Sequence, residues 1–390
     1  MKFPKWVLQF LPDVQWFTSF LLLNFHFDDT FLNKLVRGKN MPATDFRGAW
    51  TALITPFNQD GGVDYEGFRK NIQFQINQGI TGILPVGTTG ESPTLTEAEH
   101  TEVVAKAKEF TADGCDVLAG AGSNCTREAL HYCKKALEAG IDKVLLVDCY
   151  YNGPSSRELR DEYYKTILDE FSEIKIVIYV IPGRTGTAIS PVDIAVLSDQ
   201  YDRVIAIKEA TGDIARMKEE RALMPLMSIM SGDDDKTFEM MSSEKIKAQG
   251  VISVISNIAP KAVSDMVSSI LAGDIAKGQQ LAQKLKLLFS IVTVKAKSER
   301  LLRDGRKILV EDRFRNPLAI KTMMHALGVP AGSPRKPLGK MNRASVQVIR
   351  DSLKKVFTES PEILIPLEDF YGVNIKKRLV EEAVWENLTV

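Results

Sequence analysis

The chain has 390 residues, 44% of them hydrophobic and 26% charged, the composition of an ordinary globular protein. Lysine plus arginine and aspartate plus glutamate balance at 50 each, so no whole-chain field draws it to nucleic acid or to an anionic membrane, and small molecules are the expected partners. Cys115, Cys125, Cys133 and Cys149 form no C-x-x-C pair or zinc spacing with the four histidines, so reduced thiols in a cytoplasmic protein are expected, and neither triad hydrolysis nor zinc-protease chemistry finds its motif.

The first forty residues differ from the rest, crowding Trp6, Phe10, Trp16, Phe17 and Phe20 together. Their longest uncharged run, 14–27, falls short of the ~20 residues of a bilayer span, and no small-residue cleavage site follows. Residues 1–40 are therefore expected to be a floppy leader or mistranslated upstream sequence before a start-like Met41, with no membrane anchor. From Gly48, short apolar runs alternate with amphipathic stretches. They predict strands at 50–54, 82–86, 116–119, 143–148, 175–179, 204–208, 227–231 and 250–254. Helices are predicted at 65–78, 97–110, 127–139, 158–171 and 236–243, with Gly79, Gly114 and Gly140 at their C-caps. Eight strands each followed by a helix predict an α/β fold, a (β/α)8 TIM barrel over 41–272. A doubly wound dinucleotide fold is disfavoured, because Gly120-Ala121-Gly122 lacks the third glycine of its fingerprint. Helical segments at 277–294, 316–327 and 343–357 predict a C-terminal helical appendage over 273–358. The densely charged 297–315 and the tail 359–390, which lacks a clear period, read as surface insertion and extension.

In a barrel of this kind the site forms at the C-terminal ends of the strands. The sixth strand ends on Lys208 after four apolar residues, where desolvation makes an amine nucleophilic, although a lysine there can also snorkel to solvent. The fifth ends on Tyr179, a proton carrier or a core side chain, with Arg184 nearby as a planar fork for a carboxylate. After the second strand, Gly87-Thr88-Thr89-Gly90-Glu91-Ser92 is either an anion-binding turn or a helix cap. Tyr150-Tyr151 follows the fourth strand as a loop pair equally suited to an interface anchor. All these positions converge on one mouth.

In these motifs, Gly87-Thr88-Thr89-Gly90-Glu91, Tyr179-x-x-Pro182-x-Arg184-Thr185-Gly186 and Lys208-Glu209-Ala210-Thr211-Gly212, the chain from about Phe46 to Phe357 resembles the dihydrodipicolinate synthase family. That family belongs to the pyruvate-dependent aldolases, which include N-acetylneuraminate lyase. The resemblance implies a Schiff base between Lys208 and pyruvate, attack of the enamine on L-aspartate 4-semialdehyde, and no metal or organic cofactor. It implies Tyr179, Thr88 and Tyr151 as a hydroxyl relay, Thr89 holding the pyruvate carboxylate, Arg184 receiving that of the semialdehyde, and Gly232 and Ile252 lining the pyruvate pocket. Thr88-Thr89 and Arg184 separate it from sialic-acid lyases. Val180, Asp148-Cys149 and the long 297–315 segment depart from the family pattern and bear on the second substrate. Sugar-acid dehydratases, 2-keto-3-deoxy sugar acid aldolases and a non-catalytic binding barrel remain the alternatives. The resemblance further implies a homo-oligomer, a dimer or doubled dimer, in which Tyr151 reaches a neighbouring subunit. It also implies inhibition by L-lysine bound by Ser92, His100, Asn124, Glu128 and Tyr150, with Pro93 and Glu97 departing from some inhibited members.

Overall fold

The computed structural model describes residues 45–112 and 114–390; the leader expected at 1–40 lies outside them. The main sheet comprises β1 (Gly48–Ala52), β2 (Gly82–Leu84), β3 (Asp116–Val117), β4 (Ala119–Gly120), β5 (Lys143–Val147), β6 (Lys175–Val180), β7 (Val204–Glu209), β8 (Ser228–Ser231) and β9 (Gly250–Ser253). These pair in the order β3-β2-β1-β9-β8-β7-β6-β5-β4. β3 and β4 are halves of one strand divided at Leu118, the first paired with β2 and the second with β5, so the sheet closes on itself. Leu118 N–H donates to Ile83 O at 2.9 Å and Ala121 N–H to Leu145 O at 3.0 Å, carrying both ladders across the division. The structure is thus a barrel of eight parallel strands, as the βα alternation predicts.

Alternation along each strand sorts the side chains between two cores. Trp50, Leu145, Val177, Ala206, Met230 and Ile252 face inward and fill the barrel, with Phe46 stacked on Trp50. Neighbours of opposite parity, such as Ile176, Ile178 and Ile207, pack outward under the helices. The first helices start on side-chain caps: Asp64 accepts Gly67 N–H at 2.9 Å before Tyr65–Asn77, and Thr96 forms a capping box with Glu99 before Glu97–Thr111. Gly79 and Gly140 take the positive φ that ends a helix, but Glu97–Thr111 ends at Ala112, with φ 44, rather than at Gly114. The helical run predicted at 158–171 contains a wide π-helical stretch, Leu159–Tyr164, which places both Tyr163 and Tyr164 in the core.

Beyond the barrel, Ile275–Ser290, Leu318–Leu327 and Arg343–Glu359 are the three expected helices. The first stops short of its predicted end because Val294–Leu301 (β10) turns back on Lys307–Phe314 (β11) as an antiparallel hairpin, and this is the form the charged segment takes. The tail, unreadable by period, forms Ile365–Tyr371, Ile375–Val380 and Glu382–Glu386, too short to show a 3.6-residue repeat. It buries Leu367, Ile375, Leu379 and Trp385, and the Tyr371 hydroxyl donates to Asn71 Oδ1 at 2.9 Å on the first barrel helix.

Candidate active site

β6 and β7 pair with Tyr179 directly opposite Lys208, and Lys208 has the inward parity of Ala206. Its side chain therefore rises from the filled barrel interior, 5% exposed, with the amine 4.3 Å from the centroid of the Tyr179 ring. Among the described residues no carboxylate lies within ion-pair distance of it. Desolvation brings the amine from 10.5 down to about 8, with Asp233 and Asp234 pulling back up and Arg184 adding to the fall. A lysine in that range supplies free base near neutral pH. Burial drives the Tyr179 phenol up to about 12, while Arg184 and a hydrogen bond with Thr88 restrain it. Asp233 is raised to about 6, first by burial and then by its acidic neighbours Asp235 and Asp234. Asp234 anchors this loop by accepting Val254 N–H at 2.9 Å, Ile255 N–H at 3.1 Å and the Ser253 hydroxyl.

Lys208 and Tyr179 open into a cavity of about 250 Å³ that Thr88, Thr89, Arg184 and Gly232 also line. A side chain at Gly232 would come within 2.7 Å of Ala210 Cβ and 3.0 Å of Glu209 O, so only glycine fits this wall. The turn carrying Thr88 and Thr89 is clamped from behind. Glu91, itself left-handed at φ 58, accepts Lys321 Nζ at 2.6 Å and Arg335 N–H at 2.9 Å, and Lys321 also donates to Thr55 O at 3.0 Å. The pair is fully enclosed, so removing either partner strands a charge in the core. In front, Asn316 Nδ2 donates to Thr89 Oγ1 at 2.9 Å, while its Oδ1 is buried without a hydrogen-bond partner among the described residues. Arg184 Nη2 donates to Asn316 O at 3.0 Å, tying the mouth to the C-terminal region.

The sequence profile of the Dihydrodipicolinate synthetase family matches residues 45–356. The chain belongs to this family. It is 38% identical over 315 residues to the 4-hydroxy-tetrahydrodipicolinate synthase of Methanothrix thermoacetophila, covering 80% of this chain and 97% of the relative. A dihydrodipicolinate synthase from Acinetobacter baumannii, solved in complex with pyruvate, is 33% identical with a TM-score of 0.70, covering 80% of this chain and 98% of that one. The enzyme from Cyanidioschyzon merolae, solved with lysine bound, is 28% identical with a TM-score of 0.71, covering 80% of this chain and 98% of that one.

In this family member the fold brings Lys208, Tyr179, Thr88, Thr89, Arg184 and Gly232 to one cavity. Two expected residues stand apart. Tyr151, left-handed at φ 77, is 93% exposed and does not reach the cavity of its own chain. Ile252 belongs to the barrel filling, and Val254, two residues further on, lines the cavity instead. Of the residues expected around lysine, Ser92 and Tyr150 line a second hollow of about 230 Å³ that shares Thr88, Tyr179 and Arg184 with the first. Glu128 accepts the Ser123 hydroxyl, which also lies 3.4 Å from Asn124 Oδ1. Tyr150, raised first by burial and then by Glu128, hydrogen-bonds to Ser123 and Asn124. His100 is buried on Tyr132 at 3.8 Å between ring centroids, has no partner for either nitrogen among the described residues, and is brought down to about 4 by desolvation, with His131 adding to the fall. Sequence reasoning missed Asp233 and Asn316. The acidic run after Ser231 was the available signal for the first; Asn316 carried none, because its contact with Thr89 spans 227 positions.

Proposed function

We propose that the chain is a lyase condensing pyruvate with L-aspartate 4-semialdehyde, a step of diaminopimelate and lysine biosynthesis, through a Schiff base on Lys208. The observation that carries this reading is an enclosed lysine amine without an ion-pair partner among the described residues, set beside a buried tyrosine and opening toward an arginine. As free base, Nζ attacks C2 of pyruvate, whose carboxylate is held by Thr89 and the backbone of the Gly87–Gly90 turn. The Tyr179 phenol, handing protons along Thr88, protonates the departing oxygen so that water leaves and the imine forms. Loss of a proton from C3 yields the enamine, which attacks the aldehyde carbon while Arg184 holds the acceptor's carboxylate. The new alkoxide takes up a proton, and the acceptor's own amino group then closes on the imine carbon and expels Lys208 as free amine. Side chains supply every proton, so this route needs no cofactor. The test is kcat/KM for pyruvate with aspartate 4-semialdehyde, measured beside cleavage of N-acetylneuraminate and of a 2-keto-3-deoxy sugar acid. A preference for either alternative by tenfold or more overturns the choice of second substrate.

Tyr151 completes the relay from a neighbouring subunit in this reading, and its 93% exposure supports that role. Lysine inhibits at the subunit boundary: Glu128 pairs with an ammonium group, Asn124 and Tyr150 bind the carboxylate end, and Ser92 and His100 line the pocket. The Glu128–Ser123–Asn124–Tyr150 grouping supports this, as does the binding of lysine by the C. merolae relative.

A further inference from the structure

Three guanidiniums border the mouth of the Lys208 cavity, and only Arg184 comes from the barrel. Arg313 and Arg315 come from the end of the second strand of the charged hairpin, and Val292 and Thr293, just before its first strand, line the same wall. Strand alternation explains the placement. Phe314 lies opposite buried Val294 and packs against the core, so the residues on either side of it turn together to the other face, which borders the cavity.

Their charge is not used within the fold. Elsewhere on the hairpin three cations are paired, Arg300 with Asp312 at 2.6 Å, Arg306 with Asp304 at 2.7 Å and Lys307 with Glu299 at 3.3 Å, whereas Lys295, Lys297 and Arg303 stand without an ion pair among the described residues but away from the cavity. Among the described residues, none of the three mouth arginines has a carboxylate within ion-pair distance. Arg184 donates to Asn316 O, and Arg315 Nη1 to Gly183 O at 2.9 Å, both backbone carbonyls. Among the described residues Asp233 is the only carboxylate lining the cavity, and it lies close enough to influence Lys208. Arg184 is pushed down first by desolvation and also by Arg315 and Arg313, with Tyr179 and Asp233 acting the other way. Like charges gathered at one mouth repel until an anion arrives, and planar guanidiniums bind a carboxylate through paired hydrogen bonds.

We propose that Arg313 and Arg315 are specificity residues that join Arg184 in clamping the anionic end of the acceptor aldehyde, setting the preference for carboxylate-bearing over neutral acceptors. The inference rests on the Schiff-base reading, in which pyruvate occupies Thr89 and the adjoining turn and leaves the mouth cations to the second substrate.

The test compares wild type, Arg313→Gln and the Arg313→Gln, Arg315→Gln double variant, using aspartate 4-semialdehyde and propanal as acceptors. Each lost guanidinium should raise KM for the charged acceptor by about tenfold, the usual scale for a hydrogen bond to a charged group, and leave KM for pyruvate within about twofold. The preference for the charged acceptor over propanal should fall by about the same tenfold, and added salt should slow the variants less than wild type. Arg315→Lys, which keeps a charge but loses the fork, should lie between wild type and Arg315→Gln. An unchanged preference, or KM rising equally for both substrates with a lowered thermal midpoint, would show that these arginines only brace the hairpin. Borohydride trapping of pyruvate separates the two failures. A variant that still traps on Lys208 with unchanged preference sinks the clamp alone, whereas a wild type that does not trap sinks the reading beneath it.

Discussion

Replacing Lys208 with methionine should abolish turnover and make the protein more stable. Methionine is unbranched and of similar length, and carries no ammonium to desolvate. The amine titrates at about 8 in the fold against an ordinary 10.5. Between those values the unfolded chain holds the proton and the folded chain does not, so the lysine's contribution to wild-type stability rises with pH through this window. Below it, the lysine costs the fold about 3 kcal/mol, at about 1.4 kcal/mol per tenfold. By about pH 9.5 the cost shrinks to about 1 kcal/mol. Urea unfolding of both proteins at fixed protomer concentration, from about pH 7 to about pH 9.5, measures the gap. Packing differences between the two side chains do not depend on pH, so they cancel from the change. The variant's advantage should narrow by about 2 kcal/mol across that range. A gap that stays constant or widens would refute the claim that burial neutralises this amine, and with it the physical reason for its nucleophilicity.

Asp233→Asn should move the rising limb of kcat/KM for pyruvate to lower pH by about one pH unit, because Asp233 is the first of the charges holding the amine up; a limb that stays put or moves upward contradicts that coupling. Mixing Tyr151→Phe with Lys208→Ala should restore activity beyond the sum of the separate variants, since hybrid dimers then contain one intact site; recovery no greater than that sum counts against a shared relay. Titrating lysine at subsaturating pyruvate should slow turnover, and Glu128→Ala should raise the concentration required by about tenfold or more, the scale of a lost charged hydrogen bond; wild-type inhibition in the variant removes Glu128 from the site.

The barrel was legible because each βα unit repeats a buried apolar run and an amphipathic stretch, and Lys208 because it ends such a run on a charge. The division of the third strand at Leu118 left no mark, since 116–119 reads as one ordinary strand. The charged segment was visible but its hairpin was not: its outer half is exposed on both faces, and Ile308, Leu309 and Val310 run together there instead of alternating with polar residues. Lys321 read as one more helix residue, although it closes a buried ion pair with Glu91 behind the Thr88-Thr89 turn, a partnership across 230 positions. Thr88, Thr89 and Arg184 could be found because each lies just beyond a strand end. Val292, Arg313, Arg315 and Asn316 could not, because the C-terminal region reaches the mouth through tertiary folding that no local period encodes. Ile252 packs in the barrel filling while Val254 lines the cavity, a distinction that inward parity alone does not make.

The most direct test of the central claim is reduction with borohydride in the presence of pyruvate, followed by mass analysis of the peptides. The peptide bearing Lys208 should gain the mass of pyruvate less water plus two hydrogens, turnover should be lost in proportion, and Lys208→Ala should gain nothing. An unmodified Lys208 peptide under conditions that trap a known Schiff-base aldolase, or equal labelling of other lysines, would contradict the mechanism.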